Sequence, residues 1–171
     1  AQFFQLVQHY SPLSAGLRVL PWTAMPMIVA PIAGAMSDKL PGPRIIAVGL
    51  TLQAAGLAWL AAVSTPTVPY SHLVFPFILS GIGMGLFFAP VANVILSSVR
   101  PIEEGQASGA NNAIRELGGV FGVAVLASIF AATGSYTTGQ SFTDGMDAAV
   151  WVGAAVVAVG ALVAFMIPVR T

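Results

Sequence analysis

Charge is what this sequence lacks most. Only 7% of its 171 residues are Asp, Glu, Lys or Arg, where a water-soluble domain usually carries about 25%. A globule so poor in charge would expose broad apolar patches and aggregate, so the natural solvent for this surface is lipid. Cysteine is absent altogether, which removes disulfides, thiolate zinc sites and cysteine nucleophiles. Six basic and six acidic residues cancel, leaving no basic balance to attract nucleic acid. No basic stretch precedes an apolar run at the start, so no signal peptide is expected. The opening AQFFQLVQHY reads as the tail of a helix entered partway, and the chain as a fragment.

What is present is apolar length. Hydrophobic residues make up 57% of the chain, and the mean hydropathy is +0.88. Residues 19–37, 45–99, 117–143 and 148–169 form charge-free runs of 19, 55, 27 and 22 residues. A helix needs about 20 residues to cross a hydrocarbon core of roughly 30 Å. The longest run is therefore two crossings, broken at TPTVPYS (65–71) by its prolines. The reading is all-α, with five membrane spans at about 14–37, 44–64, 72–99, 107–132 and 146–168. A transmembrane barrel would instead alternate over segments of about ten residues, and no second domain is visible.

The basic residues orient the spans. Lys39 and Arg44 lie between spans one and two, Arg100 between three and four, and Arg170 after five. Arg115 sits just inside span four. Loops 65–71 and 133–145 contain neither Lys nor Arg, and Arg18 alone marks that side. The N-terminus is thus expected outside and the C-terminus in the cytoplasm of a multi-pass protein of the cell membrane.

The scarce charges gather in GAMSDKLPGPR (34–44), where Pro41, Gly42 and Pro43 force a reversal. Basic residues holding a loop inside explain Lys39 and Arg44 but leave Asp38 idle. An anion at the end of span one opposes the helix dipole, so Asp38 must gain from a nearby Arg or another helix N-terminus. This stretch resembles the G-x-x-x-D-[RK]-x-G-x-[RK] motif of the major facilitator superfamily, matched at Gly34, Asp38, Lys39, Gly42 and Arg44. It departs from that pattern by one residue, Pro41. A second stretch, GQASGANNAIRELGGVFGVAVLASIF (105–130), resembles the thirteenth-span region of the fourteen-span drug:proton antiporters. Gly105, Ala107, Ser108, Gly109, Arg115, Leu117, Gly118, Gly119, Gly122 and Ala124 match there. YSPLSAGLRVLP (10–21) resembles that family's entry into its tenth span.

The resemblance implies the last five spans of a twelve- or fourteen-span secondary transporter, working by alternating access. Its partners would be the bilayer, a missing N-terminal half, a small-molecule substrate and protons. It also implies that the third and sixth helices of each half face lipid. Spans two and five are the most uniformly apolar, while spans one, three and four hold Arg18, Trp22, Thr23, Ser80, Asn93, Asn111, Asn112, Arg115 and Glu116.

Two groups of candidate residues follow. Asp38, Arg100 and Arg115 could form a cytoplasmic gate with the GAMSDKLPGPR turn, Asp38 pairing with Arg100 when that side is closed; the alternative is solvated loop charge. Arg18, with Trp22 one turn on, either snorkels to the interface or faces a substrate cavity whose wall includes Met84, Phe87, Phe88 and Asn93. Gly81, Gly85, Gly118 and Gly122 form small-x-x-x-small faces that let helices approach closely. Pro21, Pro26 and Pro31 loosen span one.

No carboxylate or histidine lies mid-span, so the coupling group of a proton antiporter would fall outside the chain. His9 and His72 sit near loops, and neither a G-x-S-G nor an H-E-x-x-H motif is present. Catalysis, a metal and a cofactor are accordingly not expected. A membrane-embedded accessory or assembly subunit is the remaining alternative to a transporter.

Overall fold

The computed structural model describes residues 1–37 and 39–167. Asp38 and Arg170, both weighed above, lie outside the described residues. Within them the chain is helical, without a strand. A five-residue π-helical turn, Phe3–Val7, leads into α1 (Pro12–Ser37), α2 (Gly42–Val63), α3 (Tyr70–Ser97), α4 (Glu104–Thr133) and α5 (Gly139–Met166). A single 3₁₀ turn, Pro101–Glu103, precedes α4. All five α-helices are long and apolar enough to cross a membrane.

The starts and stops have local causes. Pro43 stands in the first turn of α2, where its missing N–H costs nothing and its fixed φ suits the helix. α3 opens after Pro69. Thr138 caps α5, its hydroxyl oxygen accepting from the Ser141 N–H at 3.1 Å. That cap starts α5 at Gly139, so the polar stretch 139–145 is helical rather than loop. Hydroxyls inside the spans return their hydrogen bonds to the preceding turn, as Thr51 does to the Ala47 carbonyl at 2.8 Å and Ser128 to Ala124 at 2.8 Å.

α3 is the centre of the packing. It lies against both α1 and α2, and α2 lies in turn against α5, whereas α1 and α2 scarcely touch. Backbone proximity, enabled by glycine, joins α2 to α3. A Cβ added at Gly49 would stand 2.8 Å from the Gly83 carbonyl oxygen, and one at Gly56 would stand 2.8 Å from the Ser80 amide nitrogen. Lipid tails give apolar helices no hydrophobic reason to associate, so such close contact supplies the attraction. Two apolar clusters complete the core. One gathers Phe3, Phe4, Ala15, Leu73, Phe77 and Phe142 towards the end of the bundle where α3 begins; the other joins Ile46, Ala47 and Ala164.

α4 contributes no buried residue. It is held chiefly by α5, at the end where Gly134 meets Gly145 and the Phe130 and Phe142 rings lie 5.2 Å apart. α1 buries only Ala15 and Ala33. These two helices carry much of the polar, glycine and proline content of the spans, and each packs chiefly on one neighbour, α1 on α3 and α4 on α5, leaving most of its surface exposed.

Candidate functional site

Arg18 and Trp22, one helical turn apart on α1, both rest on α3. The Arg18 guanidinium lies over the Tyr10 ring at 3.7 Å from its centroid, with the Tyr70 ring at 5.4 Å. Its Nη1 donates to the Ser14 carbonyl at 3.3 Å, and the Tyr70 hydroxyl donates to the Arg18 carbonyl at 3.1 Å. The cation is thus half-buried and sheltered by two aromatic faces. Neither snorkelling alone nor an open cavity describes it. Nothing in the sequence signals Tyr10 and Tyr70 as its partners, because Tyr70 lies 52 positions away.

One α-turn deeper, Trp22 stacks on Phe77 with ring planes 5° apart and centroids at 6.3 Å. The pair helps to line an apolar cavity of about 190 Å³ inside the bundle, together with Phe3, Phe4, Leu73 and Met146. The indole Nε1 is buried with no hydrogen-bond partner among the described residues, as are Arg18 Nε, Ser80 Oγ and Asp147 Oδ1. Asp147 stands in the third turn of α5, one turn after Asp144, which accepts from Gln140 Nε2 at 2.7 Å.

The remaining residues of the expected cavity wall are not brought together with these. Phe87 packs on the Ile46, Ala47 and Ala164 cluster between α2 and α5. It meets Phe88 edge-on at 5.4 Å, but Phe88 is exposed, as is Asn93, and Met84 is half-buried. Phe87 and Phe88 point about 100° apart around α3, Phe87 to the buried cluster and Phe88 to the exposed surface.

The glycines divide in the same way. Gly81 and Gly85 are contact points with α1: added Cβ atoms would come within 2.5 Å of the Trp22 carbonyl oxygen and 2.8 Å of Val29 Cβ. Among the described residues, Gly118 and Gly122 face no neighbouring atom within 4 Å, and the same holds for Gly34, Gly105 and Gly109.

At the opposite end of the bundle, Arg100 is exposed and pairs with Glu103, whose carboxylate also accepts from the Arg100 amide at 3.3 Å. That carboxylate holds the Arg100 guanidinium above its ordinary value. Arg115, on exposed α4, donates to Asn112 Oδ1 at 2.9 Å and meets Glu116 at 3.4 Å. Lys39 and Arg44 are exposed beside the α1–α2 turn, and an added Cβ at Gly42 would collide with Val94, so this turn is seated closely on α3.

The family model described as Major Facilitator Superfamily matches residues 1–171. The chain is similar to the cephamycin export protein of Amycolatopsis lactamdurans, 33% identical over 128 residues, covering 75% of this chain and 23% of that protein. It is similar also to the multidrug resistance protein Stp of Mycobacterium tuberculosis, 35% identical over 133 residues (77% and 24%). The multidrug export protein EmrB of Escherichia coli is 27% identical over 129 residues (75% and 25%). The chain spans about a quarter of the length of these relatives. No solved structure gives a significant match.

Proposed function

Because the chain belongs to the major facilitator superfamily, we propose that it forms the C-terminal part of a secondary transporter exporting small amphipathic compounds in exchange for protons. Relatives named for cephamycin export and multidrug export support the direction and the broad substrate class. The observation that carries the reading is the unequal packing of the five helices. α2 is held on two sides, by α3 and by α5, whereas α1 rests chiefly on α3 and α4 chiefly on α5, so that α1 and α4 leave polar and glycine-bearing faces without a partner among the described residues. A bundle that worked alone would hide Asn112, Arg115 and Glu116 from lipid, since ionisable groups are expensive there.

In this reading the absent N-terminal half covers α1 and α4, and the substrate passes between the halves. Pro21, Pro26 and Pro31 lie within α1, each removing a backbone hydrogen bond from the helix facing that path. The N-terminus lies outside and the C-terminus in the cytoplasm, placing the α1–α2 turn and the Arg100 loop at the inner face. Asp38, Lys39, Arg44, Arg100 and Arg115 would bias the inner gate, Arg100 exchanging Glu103 for Asp38 as that side closes. The full-length transporter in proteoliposomes tests the reading. An imposed proton gradient should drive uptake of an amphipathic cation such as ethidium, and collapsing the gradient should stop it. Uptake indifferent to the gradient would reject proton exchange, and no transport of any amphipathic compound would reject the export reading.

A further inference from the structure

We propose that the turn between α1 and α2 binds an anionic phospholipid of the bilayer, with an acyl chain in an apolar cleft and the phosphate against Lys39 and Arg44. α1 and α2 both lean on α3 yet scarcely touch each other, so a wedge opens between them beside their connecting turn. It encloses about 190 Å³, with Leu86 of α3, Met36 and Leu40 on one side, and Ile45 and Val48 of α2 on the other. Among the described residues, Arg44 is the only charged one lining it. Leu40 and Val48 remain 48% and 46% exposed, so the cleft is open to whatever surrounds the helices.

Chemistry selects the occupant. An apolar cleft in a membrane-spanning bundle takes hydrocarbon rather than water, and the membrane supplies acyl chains at its mouth. The headgroup preference comes from charge. Residues 38–44 carry Asp38, Lys39 and Arg44, a net of +1 (two positive less one negative) in a chain of net zero. Lys39 and Arg44 are both exposed. The N-terminus of the 22-residue α2 opens at the same place with no acidic residue in its first turn, adding partial positive charge. Basic residues at a membrane surface attract anionic lipids, and a guanidinium matches a phosphate in geometry. An apolar slot below two cations fits a lipid with a negative headgroup better than a zwitterionic one. The site depends on the chain spanning a bilayer and is independent of what the transporter carries.

The test uses the full-length transporter in nanodiscs of equal phosphatidylglycerol and phosphatidylcholine, with retained lipid counted by native mass spectrometry. The unaltered protein should retain phosphatidylglycerol preferentially. The double variant Lys39→Gln with Arg44→Gln should lower that retention roughly tenfold, and Val48→Trp, which fills the cleft without touching charge, should lower it as well. Both changes lie at exposed positions, so the thermal midpoint should hold within a few degrees. Equal retention of the two lipids, or retention unchanged in either variant, would overturn the proposal. A cysteine at position 48 adds a direct reading of the occupant. Reaction with a lipid-soluble maleimide, slowed by phosphatidylglycerol, supports the site; complete protection in every lipid would mean that another segment of the transporter fills the cleft.

Discussion

The Arg18 guanidinium carbon lies 3.7 Å from the centre of the Tyr10 ring, a contact that ties the segment before α1 to α1 itself. Tyr70 extends the tie to α3 through its hydroxyl on the Arg18 carbonyl. Immediately before Tyr10, His9 takes a left-handed backbone conformation at φ 56°, which turns the chain back over the helix. A cation nearly two turns inside α1 is thereby sheltered by aromatic faces, with no carboxylate paired to it among the described residues.

Tyr70→Phe keeps the ring and deletes one hydrogen bond, so it should destabilise the protein by about 1 kcal/mol. Tyr10→Leu removes the nearer aromatic face and should cost about 0.5–1 kcal/mol. Because both act on Arg18, the double variant should depart from the sum of the two. Thermal unfolding in detergent micelles measures all three. Unchanged midpoints for both single variants would mean that the Arg18 cluster contributes nothing.

Glycine substitutions should divide by helix. Gly56→Ala sets a methyl group against the backbone of Ser80 and Pro76, and overpacking of this kind costs about 1–3 kcal/mol. Gly118→Ala meets nothing within 4 Å, and alanine is the better helix former by roughly 1 kcal/mol. Its effect on the stability of the 171-residue chain should be neutral or favourable. In the full-length transporter it should slow transport, because the proposed second half packs there. Parallel unfolding and uptake measurements on the two variants separate these outcomes; equal destabilisation by both would contradict the packing described.

For the proposed gate, Asp38→Asn in the full-length protein should lower transport severalfold without reducing membrane insertion. Glu103→Gln should not lower it, because losing its local partner leaves Arg100 free to meet Asp38. Insertion is read by membrane fractionation and turnover by proteoliposome uptake. A normal rate in Asp38→Asn would reduce that residue to loop charge.

The helical class and the five long apolar segments were legible because hydrocarbon imposes one demand on every crossing: a sufficient run of apolar side chains with all backbone groups bonded internally. Gly81 and Gly85 could likewise be singled out, since small residues four apart offer a face, although the sequence names no partner for it. What composition could not convey was pairing between distant helices. Trp22 against Phe77 and Arg18 against Tyr10 and Tyr70 follow from how α1 lies on α3, and no local pattern encodes that. The start of α5 was obscured for a different reason. Gln140, Ser141, Thr143 and Asp144 look like loop by polarity, but the Thr138 cap makes them helix. Phe87 and Phe88 are adjacent in sequence, and the helical step sends them to different surroundings.

The whole account rests on an odd number of crossings, with the α1–α2 turn and the α2–α3 loop on opposite sides of the membrane. Single cysteines introduced in place of Pro41 and Thr67, in a chain that has no cysteine of its own, test this directly with a membrane-impermeant maleimide applied to intact cells and to inverted vesicles. The account expects position 41 to react only in inverted vesicles and the exposed position 67 only from the cell exterior. Labelling of both positions from the same side would contradict it.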